Sequence, residues 1–152
     1  MRALSVKQPW ATLLVEGQKT IEARSWKTEY RGHLLICASK TPANTFWHDK
    51  TDNVHRLMHA GCIIGIVDLL DVRPMLESDD EASAGNYTKG AYAWVVRPVS
   101  FCKPVPIIGR LNLFDVPDSK IERIANDDSD WIFNYPCPQG YIKFTDRCDV
   151  LE

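Results

Sequence analysis

The stretch Gly17-Gln18-Lys19-Thr20-Ile21-Glu22-Ala23-Arg24 joins a predicted helix to a predicted strand. Gly17 is the residue type that ends a helix, and the strand begins almost directly after it. Glu22 and Arg24 are two residues apart, so they share one face of the strand and can make a charge-assisted contact. Lys19 lies at the turn, where strict alternation does not hold, and its ammonium can reach Glu22. The pattern predicts a lysine, a carboxylate and a guanidinium gathered at one point.

The segments on either side predict a sheet with a few helices. Pro9 suits the first turn of a helix, and Trp10, Leu13 and Leu14 form its apolar stripe. A second helix is predicted over residues 41–59, and Ser119 with Glu122 gives a capping box for a short third helix. Apolar or alternating segments predict strands over 1–6, 19–26, 33–39, 62–72, 91–101, 105–116 and 141–144.

These elements favour an α+β, mostly β fold. Loops, rather than regular helical crossovers, separate the later strands, which indicates an antiparallel, curved sheet. We therefore expect a small β-barrel of about six strands with two or three flanking helices. A doubly wound parallel sheet is the alternative, but the later strands lack the helices that it needs.

Composition indicates an ordinary soluble chain. The 152 residues are 45% hydrophobic and 25% charged, which suits one domain over residues 1–152 with a single core. No run approaches the roughly 20 apolar residues of a membrane span, and no signal peptide is recognised. Five widely spaced cysteines without a CxxC pair favour reduced thiols. We expect a cytoplasmic protein without a membrane partner.

The charge is unevenly distributed along the chain. The formal net charge is −2, which alone argues against a nucleic-acid partner. Residues 1–56, however, hold nine Lys or Arg and five acids, while the remainder holds nine and fifteen. Such asymmetry can mark an electropositive face on a near-neutral protein. It can equally vanish when the chain folds, so both possibilities stay open.

The sequence resembles the ASCH domain, a member of the PUA-like superfamily of small barrels. The family signature G-x-K-x-x-E-x-R is matched by Gly17, Lys19, Glu22 and Arg24. Similarity runs from the first residues to about residue 116 and includes the segments LSVKQPWA (4–11), RG (31–32) and LLI (34–36). The segments GAYAWV (90–95) and PIIGR (106–110) resemble bacterial and phage versions of the domain.

The resemblance implies a cleft beside the signature and binding of RNA or a modified nucleotide. It also implies an alternative, since some relatives are amidohydrolases that remove an acyl group from N4-acetylcytidine. Lys19 matches their lysine, Glu22 occupies the position of their threonine nucleophile, and Asp68 is a weaker match for their carboxylate. A carboxylate is a poor substitute for that hydroxyl. Glu22 as a general base with Lys19 as oxyanion stabiliser, or a ribonuclease, keeps hydrolysis open.

The candidate site is centred on the signature. The catalytic candidates are Lys19, Glu22 and Asp68. Trp10, Trp26 and Trp94 are expected to stack on bases, Gln8 to read a base edge and Arg31 to contact a phosphate. The full set of ligand-binding candidates is Gln8, Trp10, Gly17, Lys19, Glu22, Arg24, Trp26, Arg31 and Trp94. We expect no cofactor and no metal. A third possibility is an interaction module in which the cluster only braces the barrel.

Four further features each have a functional interpretation and a structural one. His33 is the nearest imidazole to the cluster but is more simply an exposed histidine. His55, His59 and Cys62 have a spacing that can hold zinc, although an incidental arrangement is favoured. Tyr92 and Trp94 share one face of a strand and are expected in the core, with base stacking as the alternative. The acidic loop at 77–81 is a solvated loop or a lid.

Overall fold

A computed structural model of the chain describes residues 1–41, 56–124, 135 and 141–144. One α-helix lies among nine strands within these residues. The elements are β1 (Arg2–Val6), α1 (Trp10–Glu16), β2 (Ile21–Arg24), β3 (Gly32–Ala38), β4 (Arg56–His59), β5 (Cys62–Pro74), β6 (Tyr92–Cys102), β7 (Phe114–Asp115), β8 (Arg123–Ile124) and β9 (Tyr141–Phe144). Single 3₁₀ turns occur at Glu77–Asp79 and Asp118–Lys120.

The main sheet has the order β2-β6-β5-β3-β1-β7, and β8 follows β2 along the outer edge of β6. Only β1 and β3 pair in parallel within this sheet, and its other pairs are antiparallel. Register shifts interrupt the pairing of β5 with β3 and β6, and such bulges bend strands. β4 and β9 form a separate antiparallel pair. The predicted fold is confirmed: a mostly β structure with a curled sheet.

Apolar side chains cover both faces of the central strands. Alternation along β3 sends Leu34 and Ile36 into the cluster that contains α1, while Leu35 and Cys37 join a second cluster on the opposite face. Helix α1 lies very close to β5 at Gly65, where an added Cβ would stand 1.8 Å from a Val15 methyl. A glycine at this position therefore sets the distance between helix and sheet.

Three predicted elements are corrected by the structure. Residues 105–116 are mostly irregular, with a single bridge from Pro106 to Cys62 and the short strand β7. Pro104 and Pro106 donate no backbone hydrogen bond, which works against a continuous strand. The end of the predicted helix 41–59 is wrong because Arg56–His59 form β4, and residues 42–55 lie outside the described residues. The predicted third helix is only the 3₁₀ turn Asp118–Lys120.

Two cysteines behave as small apolar residues. Cys37 and Cys102 are fully buried and reduced. Burial raises the pKa of the Cys37 thiol to about 12 and that of Cys102 to about 11. Both thiols therefore stay protonated at neutral pH and are poor nucleophiles. Within the described part of the chain, no helix combines the length and the apolar character needed to cross a membrane.

Candidate ligand-binding cleft

The motif segment (residues 17–24) begins with a tight stop to α1. Gly17 adopts φ +83°, a left-handed conformation that favours glycine, and its N–H donates to the Leu14 carbonyl at 3.2 Å. The Lys19 N–H donates to the Leu13 carbonyl at 3.0 Å. The chain can then enter β2 at once, as the sequence predicts. Gly17 thus positions the following residues from the helix end.

The Lys19 side chain is completely buried. Its ammonium donates to the backbone carbonyl of Ser83 at 2.7 Å and lies 3.4 Å from Glu22 Oε1. Burial lowers the pKa of Lys19, and the Glu22 carboxylate beside it opposes that shift. The ammonium is therefore committed to internal contacts, and it ties the motif segment to a residue 64 positions later.

Glu22 bridges the two basic groups. Its Oε2 accepts hydrogen bonds from Arg24 Nε at 3.2 Å and Arg24 Nη2 at 2.9 Å, while Oε1 faces Lys19. Arg24 Nη2 also donates to the Ser5 carbonyl of β1 at 2.9 Å. Lys19, Glu22 and Arg24 therefore lie together as the sequence predicts. The guanidinium is held by two different elements, which fixes its orientation.

A cleft of about 880 Å³ opens beside this cluster. Glu22 and Arg24 line it, whereas Lys19 is sealed beneath them. Three exposed cations join Arg24 in the lining: Lys7, Lys40 and Arg110. Glu22 is the acidic residue of the lining, and Lys19 and Arg24 neutralise it. Aromatic surface comes from Trp10, Trp26 and Tyr87, so the cleft combines positive charge with flat apolar groups.

Two loops that sequence reasoning did not assign to the site complete the cleft. One contains residues 85–88, whose Asn86, Tyr87 and Thr88 line it. The motif segment holds this loop, because the Thr20 and Ile21 N–H groups donate to the Ala82 carbonyl and Lys19 binds the next residue. The polar run Asn-Tyr-Thr-Lys between Gly85 and Gly90 was the available signal. The other is the rim loop (residues 107–112).

Three predicted ligand-binding residues do not face the cleft. Gln8 is fully buried, and its amide is used by the His59 carbonyl and the Thr12 N–H. Trp94 is also fully buried, its indole N–H donates to the Trp26 carbonyl at 3.1 Å, and its ring meets the Trp26 ring edge to face. The core prediction for Trp94 is therefore correct, and its ring is closed to a base. Gly17 acts as the helix stop.

Asp68 and Arg31 also lie away from the cleft lining. Asp68, on β5, stands opposite His33 of β3 and Arg97 of β6 in the sheet register. Its carboxylate contacts His33 Nδ1 at 2.5 Å and Arg97 Nη2 at 2.9 Å, and Arg97, followed by His33, lowers the pKa of Asp68. Arg31 Nη1 donates to the carbonyls of Thr28 and Tyr30. The structure does not bring Asp68 to Lys19 and Glu22.

His59 and the acidic loop, both singled out from the sequence, make contacts within the protein. His59 lies on β4 rather than on a helix and contacts the Tyr135 carbonyl, while His55 lies outside the described residues. Within the described ranges, no group of three potential ligands can hold a metal ion. In the acidic loop, Asp79 forms a paired contact with Arg73, which holds the pKa of Asp79 at about 2. That pairing fixes the 3₁₀ turn in place.

The geometry favours binding over acid–base chemistry. Although Glu22 lines the cleft, both of its oxygens already face cations, so the carboxylate is engaged in two ion pairs rather than held ready to act as a base. Arg24 uses Nε and Nη2 internally, and its Nη1 makes no hydrogen bond to the described residues. A guanidinium held in this way can donate to an anionic oxygen or a base carbonyl without first being ordered.

Comparison with known proteins places these features in a family. The ASCH domain model matches residues 4–103. Human Activating signal cointegrator 1 is 39% identical over 79 residues, 45% of this chain and 14% of that protein. The mouse protein is 29% identical over 135 residues, 80% of this chain and 23% of that protein. The chain thus spans less than a quarter of the length of these relatives. Both are mammalian and give no support to the predicted bacterial or phage type.

Proposed function

The chain belongs to the ASCH domain family, and on that premise we propose that its cleft binds RNA or a modified nucleotide. The observation that carries the proposal is the charge of the lining. Arg24, Lys7, Lys40 and Arg110 face a cleft whose acidic residue, Glu22, is already neutralised. Phosphate groups supply the complementary charge and dominate the affinity of most nucleic-acid complexes.

The lining suggests a division of roles. Arg24 is held by Glu22 and Ser5, so its free nitrogen supplies a fixed donor for a phosphate or a base. Trp10 and Trp26 offer indole surface on which a base can stack. Lys7, Lys40 and Arg110 are exposed and contribute attraction that depends on ionic strength. Lys19 supports the site from below by holding the loop that carries Asn86.

Hydrolysis of an acylated cytidine, or of RNA, through Lys19 and Glu22 is the alternative, and it has less support. The lysine is buried under its carboxylate, and Asp68 belongs to a different cluster. Incubation of the protein with N4-acetylcytidine and with end-labelled RNA tests it. Turnover that disappears in Lys19→Met, while the variant remains folded, would replace the binding proposal with an enzymatic one.

The first test measures RNA affinity against salt. We expect fluorescence anisotropy with a mixed-sequence labelled RNA to show binding that weakens steadily between about 50 and 200 mM salt. The double variant Lys7→Gln/Lys40→Gln removes two cleft cations. It should bind about tenfold more weakly at low salt and show a shallower dependence on salt, since each neutralised phosphate contributes to that slope.

A matched pair of surface lysines provides the control. Lys103 and Lys120 are exposed and do not line the cleft, so Lys103→Gln/Lys120→Gln changes the net charge equally. This control should bind RNA as the parent protein does. Equal weakening by both double variants would show that net charge acts without the cleft, and the proposal would fail.

A further inference from the structure

The rim loop carries two large apolar side chains that are almost fully exposed to solvent. Ile108 is 80% exposed and Leu111 is 92% exposed, and Arg110 lies between them, also exposed. All three line the cleft that contains Arg24. Apolar side chains that stand together at the edge of a charged cleft are typical of a contact surface.

The loop is anchored on both sides and in the middle. Before it, Pro106 bridges to Cys62 and the Ile107 N–H donates to the Gly61 carbonyl at 3.1 Å. After it, Phe114 pairs with Ala3 of β1. At its centre Gly109 packs against Ser5, because an added Cβ would stand 2.6 Å from the Ser5 hydroxyl. The exposed side chains therefore project from a backbone that the sheet holds.

Continuity with the charged cleft favours a polyanion as the occupant of the rim loop. Arg110 adds a cation beside Ile108 and Leu111, which suits a polyanion whose bases and sugars also present apolar surface. Leu and Ile side chains can pack against base faces, as they do when architectural proteins insert them between the base steps of duplex DNA. An apolar peptide would leave Arg110 and the neighbouring lysines without partners. A free mononucleotide at Arg24 and the tryptophans would leave the rim loop without a contact.

We propose that the ligand is single-stranded RNA of several nucleotides, and that the rim loop contacts nucleotides next to the one bound at Arg24. The inference rests on the proposed function and makes it more specific. Ile108 and Leu111 pack against unstacked bases or ribose, while Arg110 binds the intervening phosphate. Unpaired RNA is required because its bases can turn toward protein side chains.

The test compares ligands of different length in the parent protein, in a rim-loop variant and in a control variant. Affinities are measured for the four nucleoside monophosphates by competition and for mixed-sequence RNAs of two, four and eight nucleotides by anisotropy. We expect affinity to rise at least tenfold from one to eight nucleotides. In Ile108→Ser/Leu111→Ser this gain should fall to about threefold, with unchanged affinity for the shortest ligands. The control Leu70→Ser/Leu76→Ser removes two other exposed leucines, 49% and 56% exposed, and should keep the full gain.

The contrary outcomes are distinct. Monophosphates that bind as tightly as the octamer overturn this inference and leave the proposed function standing. A full length-dependent gain in Ile108→Ser/Leu111→Ser overturns the role of the rim loop. A free protein that is dimeric in sedimentation, and becomes monomeric in this variant, assigns the apolar surface to self-association and also overturns the inference. Absence of binding to every ligand removes the proposed function itself.

Discussion

Glu22 and Asp68 each lie between two basic groups, and their surroundings differ sharply. Glu22 is 8% exposed, and its partner Lys19 is completely buried. Asp68 has partners that face water, with side chains that are 44% exposed for His33 and 65% for Arg97. The Glu22 cluster connects β2, β1 and the loop after β5, whereas the Asp68 cluster lies across three neighbouring strands that already pair.

The difference shows how burial changes the role of an ion pair. Water screens the Asp68 contacts, so they add little to strands that backbone hydrogen bonds already join. At Glu22 the ammonium has no water to replace a lost partner, so every group depends on the others. The buried cluster can therefore fix the shape of a cleft, and the exposed cluster cannot.

The largest contrast is expected in stability. Lys19→Met keeps an unbranched side chain but removes the buried ammonium, so Glu22 is left with Arg24 and the Ser83 carbonyl with the Asn86 side-chain amide. We expect the free energy of unfolding in urea to fall by about 3 kcal/mol. Arg97→Met, the matched change in the exposed cluster, should cost less than about 1 kcal/mol. Similar losses of unfolding free energy in the two variants would contradict the conclusion that burial makes the Glu22 cluster more important for stability than the Asp68 cluster.

A smaller contrast is expected in RNA affinity. Arg24→Gln removes the guanidinium that Glu22 and Ser5 orient toward the cleft, and binding should weaken about tenfold, or about 1.4 kcal/mol. Arg97→Gln removes an equal charge outside the cleft and should leave anisotropy titrations unchanged. Weaker binding in the Arg97 variant would mean that the two regions act on the ligand alike.

The smallest expected effect is the contribution of Asp68 to stability, and this contribution depends on pH. Arg97 and His33 lower the pKa of Asp68 from 3.8, so its ionised form stabilises the fold above that value. At pH 7, Asp68→Asn should reduce the free energy of unfolding by less than about 1 kcal/mol. The deficit should shrink as the pH falls below 3.8 through the lowered pKa. Urea titrations at several pH values measure this deficit, and Glu81→Gln, at an exposed position, is the control. A deficit that persists at the lowest pH would contradict the stabilising role of the ionised Asp68 carboxylate.

Sequence periodicity was sufficient for most of the sheet. The alternating residues of β2 and the apolar runs of β3, β5 and β6 specify strands through local chemistry. The same reasoning misassigned 105–116, because an apolar run predicts burial and Ile108 and Leu111 are exposed. It also gave no reason to expect β4, whose pairing with β9 joins residues about 85 positions apart.

The candidate site was only partly accessible to such reasoning. Local spacing brought Lys19, Glu22 and Arg24 together, since they lie within six residues. It predicted Trp94 in the core but also kept it as a stacking residue, because strand alternation does not name the buried face. Asn86 and the rim loop enter the cleft through long-range contacts, which one sequence does not encode locally.

The acceptor for Lys19 at Ser83 is a main-chain carbonyl, and this has a consequence for how the site can diverge over time. Every amino acid carries that oxygen, so replacement of Ser83 leaves the bond available as long as the loop keeps its path. This bond therefore constrains the chemistry of position 19, whereas the Ser83 side chain is constrained by its own hydrogen bonds to Asp80 and Asn86 within the loop. Correlated substitutions at positions 19 and 83 would therefore be a weak sign of this hydrogen bond. The side chains of the loop can vary among related proteins, and ligand preference with them, while the bond from Lys19 to the loop backbone is kept.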